Sequence, residues 1–215
     1  RADIIHTGEM MMVESRNIQI FEKMPVAKAV SSMAVPAVIG QLIILFYNMA
    51  DTFFVGQTNN PYMVAGASLI LPVYNISLAL AGLAGVGGGA LVSRLLGKGQ
   101  MQEARSVSNF SVCMAVGLAG MFSLTLLFFR RPILSFLGAG SETFRYANEY
   151  AFCVIVLGGI PTVLSNTYAN LLRSIGESKK AGVGITLGGL LNVALDPLFM
   201  FVLLPRGREI LGAGL

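Results

Sequence analysis

Charge is scarce in this 215-residue chain: Asp, Glu, Lys and Arg make up 12% of it, about half the ~25% usual in a soluble domain. Hydrophobic residues reach 54%, and the mean hydropathy is +0.71. Histidine occurs once, as His6 near the N-terminal end, so no Ser-His-Asp set can form. The two cysteines, Cys113 and Cys153, form no CxxC pair, and no metal-ligand spacing is present. Both read as small apolar packing residues. The net charge of +4 is mild, and no basic–aromatic pattern points to nucleic acid. Period-two alternation is missing, which argues against a β-barrel. The N-terminal stretch also lacks the early apolar core and small-residue cleavage site of a secretory signal.

What the chain does have is five long apolar runs, at about Ser31–Val55, Met63–Leu91, Ser106–Phe129, Tyr150–Leu172 and Ala181–Leu204. Each suffices for a membrane-spanning helix, which needs about 20 residues. The tail from Ile210 to Leu215 turns apolar again and stops in what reads as the first turn of a sixth helix. The expected fold is therefore all-α: a polytopic membrane bundle with five complete transmembrane helices plus the start of a sixth. Residues 1–30 form a cytoplasmic or interfacial segment, and residues 31–215 form the helical lobe. Met10–Lys28 mixes Ile18, Ile20, Phe21 and Met24 with charges. That suits an amphipathic helix on the inner surface and a disordered leader equally well.

Lys and Arg set the orientation. Ten of the fifteen fall in the N-terminal segment and in the second and fourth links, and five fall on the other side. This excess puts the N-terminus in the cytoplasm, although the third link, Arg130–Glu149, is basic for an outer loop.

Two carboxylates break the apolar runs. Asp51 is the only charge in the first span and Asp196 the only charge in the fifth. An Asp at mid-helix in a membrane costs roughly 2.5–3.5 kcal/mol on insertion scales, so such a residue marks a cavity, a partner or an ion path. Both helices run outward, with Asp51 roughly 30 Å and Asp196 roughly 20 Å along them, which places both acids in the outer half.

Gln41, Asn48, Asp51 and Thr52 share one side of the first helix. Gln41 and Asn48 suit interhelical hydrogen bonding as well as ligand contact. On the fifth helix Gly184, Gly188, Asn192 and Asp196 recur every four residues, followed by Pro197. The glycines suit close packing, whereas Asn192, Asp196 and the Val193 carbonyl freed by Pro197 are hard oxygen ligands for a small cation. Thr162, Asn166, Asn170 and Arg173 line one face of the fourth helix, with Pro161 as a kink. The cluster Gly82, Gly85, Gly87, Gly88 and Gly89 ends a membrane helix rather than following a strand. It is a flexible or tightly packed helix end, not a dinucleotide loop.

Read in order, several segments carry a resemblance: Pro36-Ala37, then Tyr47-Asn-Met-Ala-Asp-Thr-Phe-Phe-Val-Gly56, Ser93-Arg-Leu-Leu-Gly-Lys-Gly99, Gly158-Gly-Ile-Pro161, Asn170-Leu-Leu-Arg-Ser-Ile-Gly176 and Asn192-Val-Ala-Leu-Asp-Pro197. Together they resemble the multidrug and toxic compound extrusion (MATE) family over about Lys28–Leu215, most closely its bacterial DinF-type branch. The resemblance implies the N-terminal lobe of a twelve-helix fold built from two six-helix repeats. It implies a fragment of a longer protein, since the chain opens on Arg1 and its sixth helix is nearly absent. A half-size protein that dimerises is the competing expectation.

The implied activity is secondary active export of amphipathic, often cationic compounds in exchange for H⁺ or Na⁺, by alternating access. The implied setting is the inner (cytoplasmic) membrane, crossed several times. Asp51, Asp196 and Asn192 match the family's cation-coupling residues, and Asn48 and Thr52 lie within reach. Gln41, Asn166 and Asn170 are further candidates for cavity lining, and Pro36, Pro161 and Pro197 for hinges. No cofactor beyond the coupling ion is implied, no metal beyond Na⁺ at Asp51, Asp196 and Asn192, and no enzymatic activity. The partners are small-molecule substrates, the lipid bilayer and the C-terminal lobe. The rival reading is a lipid-linked oligosaccharide flippase of the same superfamily, which needs basic residues in its cavity where this lobe offers acids and amides.

Overall fold

The computed structural model describes residues 25–58 and 60–198; at Asn48, Asp51 and Asp196 it describes the helical backbone. The expected interfacial segment before Pro25, the end of the fifth span and the start of a sixth lie outside the described residues. Every regular element within them is helical: α1 Val26–Gln57, α2 Pro61–Gly97, α3 Met101–Phe136, α4 Ser141–Ala151, a π-helical turn Phe152–Leu157, α5 Gly159–Ser174 and α6 Ser178–Pro197.

Local chemistry sets the boundaries. Asn60 caps α2 by accepting from the Tyr62 amide at 3.0 Å, and Pro61 fills the first helical position, where no amide is needed. The tight α5–α6 turn rests on Gly176, whose φ of +81° suits glycine. There Glu177 N donates to Leu172 O at 2.9 Å and Gly176 N to Arg173 O at 3.1 Å, the bonds of a Schellman cap.

α3 runs on to Phe136, beyond the apolar stretch that ends at Phe129. The break in polarity is a kink: Phe129 takes φ −106°, ψ 22°, three residues before Pro132. Arg130 stays on the helix with its guanidinium 5.6 Å from the centre of the Phe152 ring. The link between the third and fourth passes is thus residues 137–140, and α4 begins at Ser141.

Among the described residues, three helices are long and apolar enough to cross a membrane: Val26–Phe46, Pro61–Gly97 and Met101–Phe136. α4 with its π turn and α5, bent by 50° between them, are together long and apolar enough for one more pass. The bend lies at Gly158, just ahead of Pro161, where Gly158 N reaches back to Cys153 O at 2.8 Å. Irregular backbone in a membrane must find partners inside the protein. Here Ser123 of α3 donates to Ile155 O at 2.8 Å.

Contacts fix the directions. A Cβ on Gly66 would meet Tyr146 and Ala147, one on Gly85 would meet Thr167 and Asn170, and one on Gly89 would meet Ser174. α2 therefore runs parallel to α4–α5. α3 runs against both, since Gly88 abuts Ser111 and Ser123 abuts Gly159. Of the glycine cluster, Gly85, Gly88 and Gly89 are buried packing positions, whereas Gly82 and Gly87 have nothing nearby. These helices share a core of Ile70, Val73, Leu126, Leu134 and Ile155. The small residues Ala81, Ala84, Ala115 and Ala119 form a second cluster with Val163.

The packing predicts opposite effects at two α2 glycines. A Gly66→Ala methyl would lie 2.9 Å from the Ala147 backbone nitrogen, so the variant should lose about 1–3 kcal/mol of stability. Gly87→Ala meets nothing within 4 Å and should gain up to about 1 kcal/mol from helix propensity. Thermal unfolding midpoints of the two purified variants check the contrast.

Candidate functional site

α1 and α6 stand together beside the bundle formed by the other helices. α1 packs extensively on α6 and makes only a small contact with α2. The seam is glycine-lined: a Cβ on Gly182 would meet the Pro36 carbonyl at 3.4 Å, and one on Gly40 would meet Gly182 Cα and Ile185 Cδ1, each at 3.9 Å. α1 begins at the end of the lobe where α2 finishes, and α6 begins there too, beside Ser174. The pair is therefore parallel.

This register has a direct consequence for the two acids. Gly40 to Asp51 and Ile185 to Asp196 are each eleven residues, a rise of roughly 16 Å along either helix. The backbone thus carries Asp51 and Asp196 at one level of one helix pair. Asn48 and Asn192 sit one turn below them, and the Asn192 side chain is half-buried. Gln41 and Thr52 are exposed on α1.

The remaining candidates occupy other surroundings. Asn166 is half-buried on α5 and donates to Thr162 O of its own helix at 3.0 Å. Asn170 accepts from Arg173 Nη1 at 3.3 Å and packs against Gly85 in the α2–α5 seam. Pro36 lies at the α1–α6 contact, Pro161 just after the 50° bend, and Pro197 at the end of α6.

The C-terminal end of α1 borders a cleft of about 60 Å³ lined by Thr52, Val55, Val64, Ala67, Ser68, Leu71 and Tyr150. A drug-sized ligand needs about 300–1,000 Å³, so this cleft takes water-sized species only. Thr52 brings the cleft next to Asp51 in sequence. Tyr150 escaped sequence reasoning as a site residue because its side chain reaches α1 across about a hundred intervening positions. Close by, Tyr146 accepts from Asn60 Nδ2 at 3.1 Å, tying the top of α4 to the cap of α2.

Comparison with known proteins now agrees with this architecture. Residues 36–198 match the MatE family, and the chain belongs to that family of membrane transporters. It is 32% identical to the multidrug export protein MepA of Staphylococcus aureus (strain NCTC 8325 / PS 47) over 88% of its own length and 42% of that protein's. It superposes on a MATE crystal structure in complex with MaD3S with TM-score 0.83 at 28% identity, covering 92% of this chain and 43% of the other. The same score and identity relate it to a MOP superfamily transporter from Pyrococcus furiosus Vc1 (DSM3638), for which reverse polarity of the binding pocket suggests a different function; coverage is 92% and 42%. The chain spans about two fifths of the length of the curated relatives it matches.

The α1–α6 register can be checked by cross-linking. With Cys113 and Cys153 replaced by Ser, the pair Gly40→Cys and Gly182→Cys should oxidise readily to an intramolecular disulfide, because the seam brings their backbones within bridging range. Mass spectrometry of the oxidised protein reads the bridge, and its absence would contradict the seam.

Proposed function

We propose that this chain is the N-terminal lobe of a secondary active multidrug exporter. It would exchange amphipathic, cationic compounds for H⁺ or Na⁺ across the cytoplasmic membrane, with its N-terminus in the cytoplasm. The observation that carries this reading is the parallel α1–α6 pair with an acid on each helix at one level, inside a chain of the MatE family. The names of the relatives support drug export as the activity, and the Lys and Arg distribution supports the orientation.

In this reading Asp51 and Asp196 are the coupling carboxylates, and the Asn192 amide oxygen completes their ligand set. An H⁺ or Na⁺ at this site supplies positive charge that neutralises the acids. A cationic drug is held by the same negative charge, so drug and coupling ion favour opposite states of the transporter. Asn48 and Thr52 border the site and orient its polar edge. The drug cavity itself requires the second lobe, since the cleft at Thr52 is far too small, and rocking of the lobes provides alternating access. Pro36, at the α1–α6 seam, and Pro197, directly after Asp196, are the natural places for the pair to flex. The same region could use protonation or Na⁺, because carboxylate and amide oxygens serve both.

The test is dye efflux from vesicles carrying the full-length protein under an imposed pH or Na⁺ gradient. Asp51→Asn and Asp196→Asn should each lower gradient-driven efflux at least about tenfold, the scale of losing roughly 1.4 kcal/mol of coupling. Full efflux in both variants would sink the carboxylate mechanism. Wild-type protein that inserts properly but exports no dye would turn the reading toward the lipid-linked oligosaccharide flippase.

A further inference from the structure

The end of the lobe away from Asn60 gathers the last turn of α2, the first turn of α3 and the α5–α6 turn. Buried Val92, Ala104 and Leu171 form one apolar cluster there, with Leu95, Leu96 and Ile175 packed around it. The segments that rim the cluster, residues 93–105 and 173–180, carry six cations: Arg94, Lys98, Arg105, Arg173, Lys179 and Lys180. Only Glu103 and Glu177 oppose them in those segments. Both acids are already engaged. Glu103 accepts from Gln100 Nε2 at 2.9 Å, and buried Glu177 lies 3.9 Å from Lys180 Nζ.

Three of the cations, Arg94, Lys98 and Lys179, are exposed and pair with no carboxylate among the described residues. Arg173 is different. It is half-buried, its Nη1 is spent on Asn170 at 3.3 Å, and its Nε is buried with no hydrogen-bond partner among the described residues. A half-buried guanidinium with a donor to spare, between Leu171 and Ile175 of the apolar cluster, suits a phosphate oxygen. One to three turns toward the membrane, the same helices expose Leu91 and Val86 on α2, Phe110 on α3, and Val183 and Leu187 on α6. Cations above exposed apolar side chains match an amphiphile with an anionic head and acyl chains. The orientation rule accounts for basic residues at this end, but not for the half-buried guanidinium among them.

We propose that this end of the lobe docks the headgroup phosphate of an anionic phospholipid in the adjoining leaflet, with Arg173 as the inner contact and Arg94, Lys98 and Lys179 as the outer ones. The choice of leaflet rests on the orientation above, which turns this end to the cytoplasm, where the membrane surface is negative.

The experiment counts lipid on the full-length protein, so it needs neither a gradient nor a drug. Protein washed with phosphatidylcholine is incubated with equal phosphatidylglycerol and phosphatidylcholine, and the retained lipid is measured by mass spectrometry. Wild type should retain phosphatidylglycerol preferentially. Lys98→Gln should weaken that preference by up to about fivefold, and Arg94→Gln/Lys98→Gln/Lys179→Gln further. Arg173→Gln should abolish most of it, and if that variant does not fold the exposed triple variant carries the test. Arg131→Gln, at the far end of α3, should leave the preference intact. Equal retention of the two lipids by wild type, or an equal loss from Arg131→Gln, would overturn the proposal. A protein that pumps dye yet shows no lipid preference would refute the docking site alone.

Discussion

The cost of placing a carboxylate in hydrocarbon is the constraint on which the lobe depends. An Asp at mid-membrane is tolerated when protein surroundings or an ion offset its desolvation. The sequence carries two acids in its apolar runs, Asp51 and Asp196, and the fold puts them on α1 and α6, which pack closely on each other. The helices of the main bundle, α2 to α5, hold the apolar core, the small-residue seams and the bent α4–α5 pair.

Close approach makes that division workable. In a membrane, lipid competes with apolar side chains for the same surfaces, so helices associate by fit and by internal hydrogen bonds. Gly66, Gly85, Gly88 and Gly89 let α2 lie against α3 to α5, and Gly40 and Gly182 let α1 lie against α6. Ser123 donates to the Ile155 carbonyl within the π turn, which ties the 50° bend to α3. The α1–α6 pair meets the bundle where α6 packs on α5 and where Val55 near the end of α1 clusters with Met63, Tyr146 and Tyr150. Under the proposed mechanism the acid-bearing pair would respond to ion or drug while the bundle keeps its form.

Much of this was legible in the sequence, and what was not has physical causes. The all-α membrane class follows from long apolar runs with few charges, and the MATE resemblance follows from short motifs around Asp51, Gly176 and Asp196. The two acids stood out because each is the lone charge in its run. Periodicity could not reveal that α3 continues through Arg130 and Arg131. A helix tolerates cations where an aromatic ring such as Phe152 receives them, and hydropathy alone reads them as a loop. Nor could it show that the bend falls at Gly158 ahead of Pro161, or that Ser123 of another helix bonds the π turn there. Asn166 and Asn170 share a face with Thr162 in sequence, yet their hydrogen bonds stay on α5. Tyr150 and Arg173 were visible as residues, but their settings arise from packing between segments far apart in the chain.

The central claim is that one acidic site on the α1–α6 pair is shared, in turn, by the coupling ion and the drug. The most direct measurement is the number of protons or Na⁺ ions released when a cationic drug binds the purified full-length protein. The account predicts that drug binding displaces the coupling ion and that Asp196→Asn abolishes the displacement. Drug binding with no ion release from the wild-type protein, or with release undiminished in the variant, would contradict it.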